Sequence, residues 1–101
     1  MAESVEINKI IHQPVRLKIM AALRPLASNG SHSSLDFSRL KAITGATDGN
    51  LGAQIEVLEK AGYISVVKEF HKRRPKTLLS LTASGIDEFD DYKKSLIRII
   101  S

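Results

Sequence analysis

A mainly helical α+β fold is what this sequence predicts, on three observations. Apolar residues recur at helical spacing through most of the chain, with prolines and glycines set between the stripes. From Tyr63 to Leu81 the rhythm shortens to two, in a stretch rich in β-branched and aromatic residues. Helical spacing then returns to the C-terminus. With 101 residues, 43% hydrophobic and 26% charged, the chain suits one compact domain, 1–101, rather than an unfolded tail.

The first element expected is a short amphipathic helix over 5–11, because Ile7, Ile10 and Ile11 fall at i, i+3 and i+4. Pro14 interrupts it and suits the first position of a new helix. That helix carries Val15, Ile19 and Leu23 on one stripe, widened by Met20 and Ala22, until Pro25 ends or kinks it. These helices make up an N-terminal region, 1–27. Residues 27–34, Ala-Ser-Asn-Gly-Ser-His-Ser-Ser, read as a loop.

Asp36 can cap a helix carrying Phe37, Leu40 and Ile43, with Gly45 as its stop. Thr47 or Asp48 can cap the next, whose Leu51, Ile55 and Leu58 fall at i, i+4 and i+7 and which stops at Gly62. Region 36–62 is thus a helix pair joined by a turn of about three residues. Region 63–82 is a hairpin, with strands over 63–70 and 77–81 and the polar, proline-bearing tip His71–Lys76 between them. Thr82 can cap a last helix, 83–101, with Ile86, Phe89, Leu96, Ile99 and Ile100 on one face.

The net charge of +4 is local. Lys68, Lys72, Arg73, Arg74 and Lys76 stand against Glu69 alone in 68–81, while the flanking regions nearly balance. A basic cluster at a hairpin tip is the footprint of a surface that meets phosphates, with a merely solvated turn as the alternative. The absence of cysteine excludes a disulfide framework, a thiolate metal site and a cysteine nucleophile. Met1–Glu6 is acidic where a secretory leader is basic, and no apolar run approaches membrane-spanning length, so a cytoplasmic protein without membrane contact is expected.

A helix pair of this spacing places its second helix in a DNA major groove, and a basic hairpin directly after it makes a winged helix-turn-helix, with a two-stranded wing and N- and C-terminal helices, the economical reading. The stretches His12–Met20, Leu35–Leu40, Asp48–Leu51, Leu58–Ile64 and Leu81–Gly85 resemble the small MarR-like and ArsR-like winged-helix transcriptional regulators of prokaryotes. The most specific parts are Leu58-Glu59-Lys60-Ala61-Gly62-Tyr63-Ile64 and Leu81-Thr82-Ala83-Ser84-Gly85. The resemblance implies a homodimeric DNA-binding regulator, commonly a repressor, that reads bases with helix 48–61 and the minor groove or backbone with wing 71–76. The chain has little beyond the winged helix, so no separate small-molecule effector pocket is indicated. Because His12, His32 and His71 fall in different segments, no metal site or cofactor is expected.

With Leu51, Ile55 and Leu58 turned inward, Asn50 and Gln54 face out at i, i+4, and an amide that both donates and accepts suits bidentate contact with adenine. Thr47 and Ala53 are candidates for phosphate and thymine-methyl contacts. Arg73 and Arg74 are candidates for the narrow minor groove, Lys72 and Lys76 for phosphates. Arg39 and Lys41, on the first helix of the pair, are candidates for the flanking backbone. Arg16 stays open between helix-dipole, packing and phosphate roles. The C-terminal Leu96, Ile97, Ile99 and Ile100, with Phe89 and with Ile7, Ile10 and Ile11 from the other end, are candidates for a dimer seam, the alternative being that both ends cap the monomer core.

No catalytic residue is assigned. Asp87, Asp90 and Asp91 read as a solvated helix flank, and Gly45–Gly52 lacks the Gly-Lys-Ser/Thr of a phosphate loop. The main alternative to DNA binding is a winged-helix protein-interaction module, since a fold alone does not fix function. A single-stranded nucleic-acid binder is disfavoured by the scarcity of aromatics for stacking.

Overall fold

The computed structural model describes residues 5–30 and 33–101, so residues 1–4 of the N-terminal region and Ser31 and His32 of the serine-rich loop lie outside the described residues. The order is α1 (Pro14–Leu23), a 3-10 helix (Arg24–Gly30), β1 (Leu35–Asp36), α2 (Phe37–Thr44), α3 (Asp48–Lys60), β2 (Ile64–His71), β3 (Arg74–Leu81) and α4 (Ala83–Ile100). This is a winged helix, mainly helical α+β, with a three-stranded antiparallel sheet in the order β1-β3-β2. No helix among the described residues is long and apolar enough to cross a membrane.

The helix ends follow their cap chemistry. The side chains of Gln13, Asp36, Thr47 and Thr82 accept from the backbone N–H three residues on, at the starts of α1, α2, α3 and α4. Gly45 ends α2 at φ 71°, a left-handed conformation that costs glycine no Cβ clash.

Four expectations need correction. Residues 5–11 are not helical: the Asn8 carboxamide oxygen accepts from the backbone N–H of Ile10 and Ile11 at 2.9 and 3.0 Å, a local turn that competes with a helix too short to nucleate. The expected loop over 27–34 begins as the end of the 3-10 helix that follows Leu23. Leu35 and Asp36 pair with Leu79 and Leu78, adding a third strand too short to show any periodicity. In α2 the buried positions are Leu40 and Thr44, not Ile43, which is exposed; the Thr44 hydroxyl satisfies itself on the Leu40 carbonyl at 2.8 Å.

One core gathers Ile11, Ile19, Met20, Leu23, Leu40, Leu51, Ile55, Leu58, Ile64, Leu79, Phe89 and Tyr92. Burial of Tyr92 pushes its hydroxyl pKa up, and that hydroxyl meets His12 Nδ1 at 2.8 Å, tying the N-terminal segment to α4. Asn8 adds a second tie, donating to the Tyr63 hydroxyl and to Glu88 at 3.0 and 3.1 Å.

The start of α4 is locked to the base of the wing. Thr82 donates through its hydroxyl to the Gly62 carbonyl at 2.6 Å and through its backbone N–H to the Tyr63 carbonyl at 3.0 Å. Gly85 sits directly against that same carbonyl: a Cβ there would lie 2.0 Å from the Tyr63 oxygen. Gly85→Ala is therefore expected to lower stability by about 3 kcal/mol, because the obstacle is backbone and cannot rotate away. Gly52→Ala, mid-helix with open space around it, is expected to raise stability by about 0.5–1 kcal/mol. Urea unfolding of the two variants checks the contrast.

Arg24 grips Asp90 with Nε and Nη2 at 2.9 and 3.0 Å, joining the 3-10 helix to α4. These hydrogen bonds outweigh the partial desolvation and, with Lys93 beside them, lower the Asp90 carboxyl pKa to about 2. A pKa depressed by folding gives stability that is present above the unfolded value of about 4 and is lost as pH falls toward 2. Asp90→Asn is expected to flatten that acid limb, as read from thermal melts between pH 2 and pH 6.

Candidate nucleic-acid interface

The helix pair α2–α3 is joined by residues 45–47, and α3 buries Leu51, Ile55 and Leu58 as the spacing required. Its outer side exposes Asp48, Asn50, Ala53, Glu56 and Val57, with Gln54 half-buried. Thr47 is engaged as the cap, its hydroxyl accepting from Asn50 N–H at 3.2 Å. Of the three carboxylates on α3, Asp48 and Glu56 are paired, while Glu59 near its C-terminal end is exposed and has no ion pair among the described residues. Asp48 meets Lys41 of α2 at 2.7 Å, and Glu56 meets Lys60 one turn on at 2.9 Å. The hydrogen bond between Glu56 and Lys60 lowers the pKa of the first and raises that of the second.

Asn50 and Gln54 meet as their spacing implies: Gln54 Nε2 donates to Asn50 Oδ1 at 3.0 Å. Sequence reasoning left the third member open. Arg16 of α1 donates from Nη1 to Gln54 Oε1 and from Nε to the Ile10 carbonyl, so it braces the N-terminal segment against α3. Arg16 and Gln54 lie 38 positions apart, and no local pattern signals a contact of that range.

The wing is longer and tighter than expected. β2 and β3 pair in unbroken register from Ile64 opposite Leu81 to His71 opposite Arg74, so the tip is only Lys72 and Arg73 and not the whole of 71–76. Arg74 and Lys76 belong to β3. Lys72 and Arg73 both take positive φ, 50° and 67°, the geometry of a two-residue hairpin turn that normally selects Asn-Gly. In such a hairpin the closing pair is hydrogen-bonded and the next is not, so Pro75, opposite Phe70, needs no N–H toward β2.

The basic candidates are not equivalent. Arg39, Lys72, Arg73 and Arg74 form no ion pair among the described residues, and all four are exposed. Lys41 is held by Asp48, and Lys76 lies 3.9 Å from Asp36. Arg74 and Lys76 line a cleft of about 430 Å³ with Asp36, Ser38 and His71, where the wing meets the start of α2. A second groove runs between Gly52, Ile55 and Glu59 of α3 and Val66, Lys68 and Thr77 of the wing.

At the opposite terminus, Ile7, Ile10, Leu96 and Ile99 line one open groove with Tyr63 and His12. Ile97, Ile99 and Ile100 are exposed, Ile100 to 72%. Ile11 and Phe89, also expected at a seam, are instead buried in the core of the single chain. The described residues contain no group of three His, Asp or Glu placed to hold a metal ion.

Residues 15–100 match the family described as the winged helix DNA-binding domain. The chain is 32% identical over 91 residues to the uncharacterized protein MJ0432 of Methanocaldococcus jannaschii, covering 90% of this chain and 92% of that one. It is similar to the solved structure of a transcriptional regulator homologue from Pyrococcus horikoshii OT3, at TM-score 0.78 and 33% identity, over 90% of this chain and 84% of that one. A MarR-family protein from Enterococcus faecalis V583 shares the fold at TM-score 0.68 and 19% identity, over 97% and 90% of the two chains.

Because two non-glycine residues hold left-handed backbone at the wing tip, Lys72→Asn with Arg73→Gly is expected to raise stability by about 1 kcal/mol. The same double variant is expected to weaken binding to duplex DNA. Thermal melts read against a DNA titration check both signs.

Proposed function

The chain belongs to the winged helix DNA-binding domain family, and on that premise we propose that it is a sequence-specific transcriptional regulator of double-stranded DNA that acts as a dimeric repressor. In this reading α3 enters the major groove and the wing tip holds the backbone or minor groove. The observation that carries it is the pairing of a polar, amide-bearing outer face on α3 with a hairpin whose strained tip carries two cations that have no ion pair among the described residues. Pairing of Asp48 with Lys41 and of Glu56 with Lys60 offsets two of the three negative charges that α3 carries. A protein-docking face would have little use for cations at a costly backbone conformation, whereas phosphates reward them through released counterions.

Asn50 and Gln54 then contact base edges, with Thr47 and Ala53 flanking them. Arg73 and Arg74 take the minor groove, and Lys72, Lys76, Arg39 and Lys41 take phosphates, Lys41 and Lys76 by exchanging their carboxylate partners. The groove of Ile7, Ile10, Leu96 and Ile99, with Ile97 and Ile100 beside it, is the seam against a second copy.

Selection of bound sequences from a random duplex pool tests this at two salt concentrations. A palindrome with half-sites about one helical turn apart is expected. Salt-sensitive binding without enrichment, or no binding at low salt, overturns the sequence-reading assignment. Arg73→Ala with Arg74→Ala is expected to weaken binding to all sequences and to reduce the salt slope by about two, one for each lost contact. Asn50→Ala is expected to cost about 1–3 kcal/mol and to relax preference at one base. Ile97→Asp with Ile100→Asp is expected to give monomers by analytical ultracentrifugation.

A further inference from the structure

Resting on that DNA-reading function, we propose that Arg16 is a specificity-determining residue: it polarises the Gln54 and Asn50 amides so that α3 presents hydrogen-bond donors, selecting guanine rather than adenine. An arginine has donors and no acceptor, so the group it meets on Gln54 has to be the carboxamide oxygen. That places Gln54 Nε2 on the other side, where it donates to Asn50, and the atom it meets there has to be Oδ1. Each amide orientation follows from the one before. Arg16 is itself held from behind, because its Nε donates to the Ile10 carbonyl.

The relay leaves an asymmetric surface. Gln54 Oε1 lies against a guanidinium and Asn50 Oδ1 already accepts, so both amide oxygens are engaged. One hydrogen on Gln54 Nε2 and both on Asn50 Nδ2 remain, and Asn50 Nδ2 has no partner among the described residues. A base edge that matches two neighbouring donors offers two acceptors, which in the major groove is guanine, through N7 and O6. Adenine offers one acceptor and one donor, so its N6 would have to share an amide oxygen that already accepts from Arg16 or from Gln54. An unbraced asparagine or glutamine would take adenine. The difference is set by a residue of α1, which acts on α3 through the Gln54 side chain.

The test is base preference, measured by selection on the wild type, Gln54→Ala, Arg16→Met and Arg16→Lys, with thermal melts alongside. Gln54→Ala identifies the position that Gln54 reads, where preference relaxes. Wild type is expected to enrich guanine there. Arg16→Met frees the Gln54 amide to turn, and the guanine-over-adenine ratio at that position is expected to fall about tenfold while other positions hold. Arg16→Lys keeps the charge and the salt slope but not the fork that grips Gln54 and Ile10 together, and is expected to shift the ratio in the same direction. That separates positioning from phosphate contact or loss of fold. Adenine at the wild-type position, or an unchanged ratio in both Arg16 variants, overturns the inference while leaving DNA reading intact. A wild type that enriches no sequence overturns both.

Discussion

The packing of Gly85 against the Tyr63 carbonyl is the contact on which the arrangement of this domain depends. It lies where α3 has just ended, β2 is about to begin, β3 has returned and α4 starts. Thr82 joins the same point through its backbone N–H and its hydroxyl, and its hydroxyl also caps Gly85 N–H at 3.0 Å. Gly62, at φ 81°, turns the chain into that junction. Three short polar contacts and one missing side chain thus set how α3, the wing and α4 leave a common corner. Displacing α4 by the width of a methyl group would move the base of the wing relative to α3.

A second brace acts from the opposite side. Arg16 links α1 to α3 and to the Ile10 carbonyl, while Asn8 and His12 tie the same N-terminal segment to Tyr63, Glu88 and Tyr92. Residues 5–13 form no helix or strand, so these side-chain contacts determine their course. The segment consequently connects the outer face of α3 to the groove at the end of α4. Ile7 and Ile10 of that groove thus belong to the same segment whose carbonyl holds Arg16.

Most of the architecture was legible because local and long-range preferences agree. Asp36, Thr47 and Thr82 are caps by type and by position, Gly45 and Gly62 are stops, and Leu51, Ile55 and Leu58 follow the helical period into the core. The misses have a common origin in contacts that carry no period. The Asn8 turn overrode an apolar i, i+3, i+4 pattern, and β1 is only as long as one pair of residues. Thr44 replaced Ile43 in the core because it can return its hydroxyl to the Leu40 carbonyl. The wing-tip cations were found by charge, but the tightness of the turn was not, since Lys72-Arg73 is a poor match to the residues such turns prefer. At the candidate site the amide pair was legible from spacing, and the arginine that orients it was not.

Two of the departures from local preference, at the wing tip and at the end of α4, are informative about function. A chain whose caps, stops and core periods agree almost everywhere has no folding reason to put lysine and arginine at left-handed positions or to leave Phe70 78% exposed beside them. Nor does folding explain Ile97, Ile99 and Ile100 in solvent beyond the last buried turn of α4. Strain retained at a tip with unpaired cations suits a polyanion, because the gain from meeting phosphates is realised only in the complex. Apolar residues retained at a helix end, beside a groove of the same character, suit a second copy, because self-association buries both patches with a single rotation. Under the proposed dimer the two departures belong together, since a two-fold axis at the α4 ends would double the cations that meet one duplex.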